Sequence, residues 1–286
     1  VRSTRIAAVV AGVVMMAGLT ACNGAKSDNG AGSSGGGSGE KQSPLQAALA
    51  SLKTAAEQTD GKKSAKVDGT VKNGPATQTL KGAMDWSQGM QMNVDITQSG
   101  GQSPVAGKPM KALYTPTAMF LNMGAAGLPM GGKNWVKYDY DALAKKMGPA
   151  GALLKDQMQN NNPNRAMQLL IASGKVKEAG KEDVRGVQAT HYTGTLSVSE
   201  LTRMQSKSLS EADLNALQKQ MEVAGTKTET IDLWIGSDNL LVKKRERTDS
   251  ASAPYDSTVY YSDYGTKVSV EVPPAGETVD FDKIGQ

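Results

Sequence analysis

Cysteine is nearly missing from this chain, and Cys22 is the only one. No disulfide can form within the chain, and once Cys22 is assigned a role no thiol is left for chemistry. Histidine is equally scarce. His191 stands alone, so a histidine-rich metal site and a Cys–His nucleophile pair are both excluded. It is read as an ordinary strand residue. Phenylalanine is limited to Phe120 and Phe281. No basic run carries interleaved aromatics. The densest charge run, Lys243-Lys244-Arg245-Glu246-Arg247, is read as the exposed face of a strand, the sharper alternative being contact with anionic lipid headgroups. The formal charge is only +4, and removal of Arg2 and Arg5 would lower it by two. Nucleic acid is therefore excluded as a partner. Long apolar runs are absent with one exception, Ile6 to Leu19, which is shorter than the roughly 20 residues that span a bilayer.

That run lies behind Arg2 and Arg5 and ends in Leu19-Thr20-Ala21-Cys22. A short basic region, an apolar stretch and small residues before a cut describe a secretory signal. The last four residues resemble a bacterial lipobox, in which cleavage precedes a cysteine that then receives a diacylglycerol. The expected organisation is a lipoprotein signal peptide over 1–21, a lipidated Cys22 with a flexible tether over 22–42, and a folded domain over 43–286. The expected location is the cell membrane, on its extracytoplasmic face, anchored through N-terminal acyl chains. The tether is Gly, Ser and small polar residues, and its root-mean-square reach is on the order of 25 Å. Gly30–Gly35 spells G-x-G-x-x-G and Gly32–Gly36 spells G-x-S-x-G. Neither follows a strand or opens a helix, so neither has the geometry that gives these motifs their chemistry.

Beyond the tether, Pro44 to Gln58 reads as a helix, with Leu45, Ala48, Leu49 and Leu52 on one stripe. The period then changes to two. Ala65, Val67 and Val71 alternate with polar residues, as do Leu80, Met84 and Trp86. Met90, Met92, Val94 and Ile96 alternate strictly with Gln91, Asn93 and Asp95. Further strands are expected at Met110–Tyr114, Ala118–Asn122 and Asn134–Tyr138. Helices are expected from a cap at Asp141 to Met147, around Leu153 to Met158, and from Asn162-Pro163 to Gly174. Strands resume at Lys175–Ala179 and Val187–Val198. Ser210 to Asp213 reads as a capping box. A meander follows, turned at Gly236–Asn239 and closed by Thr258–Tyr264 and Lys267–Val272. Strands, then helices, then strands describe an α+β fold with a large antiparallel sheet.

Several stretches resemble the actinobacterial LppX/LprG lipoproteins, relatives of the LolA-type half-barrels. These are the lipobox and tether, Asn134-Trp135-Val136-Lys137-Tyr138 before a short helix, and Val184-Arg185-Gly186-Val187 before a strand. Asp232-Leu233-Trp234-Ile235-Gly236-Ser237-Asp238-Asn239-Leu240 and Tyr261-Ser262-Asp263-Tyr264-Gly265-Thr266-Lys267-Val268 complete the set. The resemblance implies a large curved antiparallel sheet, a half-barrel, with helices packed on its concave face. It also implies an apolar pocket for the acyl chains of a lipid or lipoglycan. No catalytic motif and no cofactor come with it.

Ten of the fourteen methionines lie between Met84 and Met167. Methionine suits surfaces that adapt to varied apolar partners, but it also fills ordinary cores. The pocket is expected between Met90, Met92, Val94 and Ile96 on the sheet and Leu143, Met147, Leu154, Met158, Met167 and Leu170 on the helices. Leu128 and Met130, in a glycine-rich loop, would form its lip. That loop, Gly127 to Lys133, matches most of a P-loop, but Asn134 stands where Ser or Thr would bind magnesium and a strand follows instead of a helix. Asp139 and Asp141 could suggest a metal pair, and helix capping explains at least Asp141. No catalytic residue and no metal site are assigned, and the chain is not expected to be an enzyme. Two functions fit: a lipid-binding or lipid-carrying lipoprotein, or an envelope scaffold or sensor with a filled core. The sequence names no protein partner.

Overall fold

The computed structural model describes residues 43–284, apart from 102–105, 125–130, 206–210, 213, 216–217, 220–224 and 251–253. The signal, Cys22 and the tether lie outside the described residues. Ser43 starts the first helix, α1 (Pro44–Lys62). Its hydroxyl accepts from the Gln46 N–H while the Gln46 side chain accepts from the Ser43 N–H, a reciprocal capping box. Pro44 at the first turn has no N–H to leave unsatisfied. The buried residues Ala48, Leu52, Ala55 and Thr59 recur every three or four positions and form one face.

Twelve strands then build one sheet: β1 (Ser64–Asn73), β2 (Ala76–Asp85), β3 (Gln91–Ser99), β4 (Pro109–Tyr114), β5 (Ala118–Asn122), β6 (Trp135–Asp139), β7 (Lys177–Val184), β8 (Val187–Ser197), β9 (Thr228–Gly236), β10 (Leu241–Thr248), β11 (Tyr255–Ser262) and β12 (Thr278–Asp280). Their order is β12-β6-β5-β4-β3-β2-β1-β11-β10-β9-β8-β7, with β12 and β7 at its two ends. Every neighbour pair is antiparallel except β12 with β6. Between β6 and β7 come α2 (Tyr140–Met147), α3 (Pro149–Asn160) and α4 (Pro163–Ser173), and α5 (Val198–Gln205) follows β8. One apolar cluster joins α1, α2, α3 and α4 to inward residues of strands from β6 to β8. Nine strand spacings of about 4.8 Å separate those two strands on a flat sheet. A single core shared by both requires the sheet to bend around the helices. The architecture is therefore the α+β half-barrel that the sequence implied. No helix among the described residues is long and apolar enough to cross a membrane.

A bulge in β10 sets the inner face of the second half. Leu241 pairs with Ile235, but Lys243 pairs with Trp234, so one residue is inserted between them. Lys244 and Glu246, not Lys243 and Arg245, then share the inner face with Leu241. The Leu241 N–H is met by the Thr59 hydroxyl at 3.2 Å, which pins α1 to the sheet there.

Four expectations need correction. Lys267–Val272 makes no ladder. It crosses the sheet face opposite the helices, where Asn93 Nδ2 donates to the Ser269 carbonyl (2.9 Å) and Val270 packs on Leu113 and Phe120. This crossing delivers the chain to β6 in the parallel sense, so β12 arises where no strand was expected. The cap of α2 is Asp139, whose carboxylate accepts from the Ala142 N–H at 3.0 Å. Asp141 instead pairs with Lys155 at 2.5 Å. Finally, the strand expected over Lys175–Ala179 runs from Lys177 to Val184. Ser210 and Asp213, the expected capping box, lie outside the described residues.

Candidate functional site

A cavity of about 280 Å³ lies between the inner face of the sheet and helices α3 and α4. Its walls follow from strand register. Cross-strand partners point to the same face, so the pairs Val67–Tyr261, Met84–Met92, Leu80–Ile96 and Gln78–Gln98 form successive rows along the cavity. Toward one end the sheet contributes Val67, Met84 and Met92, and Met158 and Leu169 are the apolar residues that the helices add to the lining. The other end lies where β2, β9 and β11 begin and β1, β3 and β10 finish. There Gln78, Gln98, Glu229, Glu246, Tyr255 and Ser257 line it.

That polar end contains a buried charge cluster. Lys244 is only 7% exposed and Glu229 only 4%. Lys244 Nζ lies 2.9 Å from Glu246 Oε2. Burial alone would depress the lysine, but the Glu246 carboxylate beside it prevails and holds it above the usual lysine range. Burial, reinforced by the negative charge of Glu246 and opposed by Lys244, pushes the Glu229 carboxyl up to about 8. Burial therefore favours the protonated form of Glu229 beside the Lys244–Glu246 ion pair. Burial also pushes the phenol of Tyr114 up to about 12, and those of Tyr255 and Tyr261 upward, so all three are neutral hydrogen-bonding groups. The second cation on the wall, Arg165, is bound to Asp156 at 2.6 Å. Gln98 is buried, and its Oε1 receives no hydrogen bond among the described residues.

The expected pocket residues are distributed as follows. Met92, Ile96 and Met158 line the cavity. Met90, Val94, Leu143, Leu154, Met167 and Leu170 are buried in the shared core and do not line it. Met147 is 47% exposed on α2. Leu128 and Met130, like Cys22, lie outside the described residues. Val94 shows why alternation alone misplaces a wall. It sits on the inner face, but Gly82 opposite has no side chain, and Val94 has settled against that backbone.

The charged run read as an exposed strand face is corrected here, since Lys244 and Glu246 point inward. Its clue was Leu241, whose parity conflicts with that of Lys244 unless a bulge intervenes. Helix α5 was missed too, although Ser197-Val198-Ser199-Glu200 is a capping box. The Ser197 hydroxyl accepts from the Glu200 N–H, and the Glu200 carboxylate accepts from the Ser197 N–H. Lys175 and these bonds hold Glu200 down to about 2. His191 is more tied than an ordinary strand residue. It stacks on Trp234 with ring centroids 4.3 Å apart, and its Nε2 lies 2.9 Å from Asp232 Oδ1 on the face away from the cavity. Among the described residues, no three His, Cys, Asp or Glu side chains converge as metal ligands would.

No family model matches the chain. It is 42% identical over 241 residues to an "Uncharacterized 31.2 kDa protein in rplA-rplJ intergenic region" of Streptomyces griseus, covering 82% of this chain and 79% of that protein. It is 33% identical over 209 residues to "Putative lipoprotein SCO4650" of Streptomyces coelicolor, covering 71% of this chain and 64% of that one. Solved structures similar to it include LprF from Mycobacterium bovis (18% identity, TM-score 0.46, 81% of this chain and 99% of that chain). The lipoprotein LppX of Mycobacterium tuberculosis is another (14%, TM-score 0.49, 79% and 98%). By its identity to the Streptomyces griseus protein over most of both lengths, the chain belongs to that protein's family, which has a relative in Streptomyces coelicolor carrying the name of a lipoprotein.

Proposed function

We propose that this chain is an exported lipoprotein, acylated on Cys22 and held on the extracytoplasmic face of the cell membrane, whose cavity takes the acyl part of a lipid or lipoglycan. The cavity is the observation that carries the reading. An acyl chain seated against its apolar wall leaves water, which stabilises the complex by about 25 cal/mol per Å² of apolar surface buried. A wall that is apolar at one end and polar at the other matches an amphiphile, and methionines 84, 92 and 158 let the apolar end adapt to chains of different shape. We further propose that the protein binds without transforming its ligand. Asp139 is occupied as a helix cap and Asp141 by Lys155, which supports that reading. The scaffold alternative draws support from Met90, Val94, Met167 and Leu170, which are packed into a filled core.

The two readings differ in one measurement. Native mass spectrometry of the Cys22→Ala protein should find lipid retained in addition to the polypeptide mass. A compact protein with a ligand-free mass would favour the scaffold. The same variant tests the anchor. One acyl chain binds a membrane only marginally and two bind stably, at about 0.8 kcal/mol per buried CH₂. Cys22→Ala should therefore move the protein from the membrane to the soluble fraction with its circular dichroism unchanged. Persistence on membranes after a salt wash would show that the domain, not Cys22, holds the bilayer.

A further inference from the structure

We infer that the polar end of the cavity is a headgroup subsite, built by Gln98, Glu229, Lys244, Glu246, Tyr255 and Ser257, that accepts an uncharged, hydroxyl-bearing head and rejects a phosphate. The inference rests on the carrier reading above and deepens it. Three features of the wall lead to it.

First, neither wall cation is available to an anion. Lys244 is bound to Glu246 at 2.9 Å and Arg165 to Asp156 at 2.6 Å. A phosphate entering this end would lose its water and meet the Glu246 carboxylate with no unpaired positive charge to offset either loss. Second, the Gln98 amide lines the same end. A ligand hydroxyl can both donate to and accept from an amide, whereas an ionised phosphate only accepts. Third, the wall also supplies neutral groups that serve a hydroxyl in both senses. The phenol of Tyr255 and the hydroxyl of Ser257 line the same end, and burial favours the protonated form of Glu229. The acyl chain then runs from these groups toward Val67, Met84 and Met92.

The test compares two lipids with the same acyl chain, 1-oleoylglycerol and oleoyl lysophosphatidate. Each is titrated at pH 7 into the full chain carrying Cys22→Ala, so that the protein's own acyl chains cannot compete. The neutral lipid should bind at least about tenfold tighter, a difference of about 1.4 kcal/mol. The double variant Glu229→Gln/Glu246→Gln frees Lys244 and should narrow or invert that ratio, and circular dichroism reports whether it folds. Should it fail to fold, Gln98→Leu replaces it. Removing the amide should weaken 1-oleoylglycerol, which has two free hydroxyls, more than lysophosphatidate, which has one beside a phosphate that only accepts. Equal affinities, or preference for the phosphate in the parent protein, would overturn the headgroup subsite while leaving a lipid carrier. Binding of neither lipid, with no lipid retained on purification, would overturn the carrier reading itself and the subsite with it.

Discussion

Replacing Glu229 with Gln should raise the stability of this protein at pH 8 by about 2 kcal/mol or more, and leave it nearly unchanged at pH 4.5. The cause is the buried carboxyl of the cavity. In the unfolded chain it titrates at the ordinary value of 4.5, and in the folded chain burial and Glu246 push it up to about 8. Between those values the folded state holds one proton more than the unfolded state. Stability therefore falls as pH rises through that window, at up to about 1.4 kcal/mol per pH unit, and levels off above it. Glutamine is neutral throughout and removes the slope. Carboxylates held below their usual range, such as Glu200 at about 2 together with Asp139, Asp249 and Asp256, have the opposite sign. Their stabilisation is present above their ordinary values and lost on acidification through and below them, so it touches this window only at its acid edge. For a domain of this size, 2 kcal/mol corresponds to roughly 4–8 °C in Tm. Thermal melts of the parent and Glu229→Gln between pH 4.5 and 8.5 should diverge steadily. Parallel curves would mean that Glu229 is solvated and ionised, and that the polar end of the cavity carries a net negative charge.

The strands were legible in the sequence wherever one face is wet and the other dry. Met92, Val94 and Ile96 against Asn93 and Asp95 predict β3 because a one-residue slip would bury two polar side chains. The cap of α4 was legible for a similarly local reason: Asn162 accepts from the Arg165 N–H, Pro163 follows, and Gly174 takes the left-handed conformation that ends the helix. Long-range consequences were not legible. β12 exists because the chain from Asp263 to Glu277 crosses the outer face, and no local pattern encodes where it lands. The cavity's charged end was hidden because Lys and Glu are ordinarily solvent-facing. One inserted residue in β10 reverses which members of Lys243–Arg247 turn inward. The cavity wall was legible only in part, because alternation assigns a residue to a face but says nothing of what stands opposite. Across from Ile96 stands Leu80, and both line the cavity. Across from Val94 stands Gly82, whose missing side chain lets Val94 fill the space itself.

That difference between neighbours gives the second large effect. Val94→Trp and Ile96→Trp place the same side chain two residues apart on one strand, facing the same side. Val94 is 1% exposed and does not line the cavity. A Cβ built on Gly82 would lie only 2.7 Å from Val94 Cα and 2.9 Å from its Cγ1, so the two strands are already in close approach there. An indole at 94 has no space to enter. Overpacking of such a core costs roughly 1–3 kcal/mol, occasionally more, and the upper end is expected here. Ile96 is 5% exposed but borders the cavity. Its indole can extend into space that is vacant or filled by a displaceable acyl chain, and the stability change should stay below about 1 kcal/mol. Lipid retained on purification should show the reverse order. Ile96→Trp should lose most of it, while whatever Val94→Trp protein still folds should keep it. Melting temperature and lipid content by mass spectrometry are both read on the Cys22→Ala background. A loss of stability at position 96 as large as at 94, with no lipid in the parent, would mean that the cavity is not available to a ligand and would favour the filled-core scaffold.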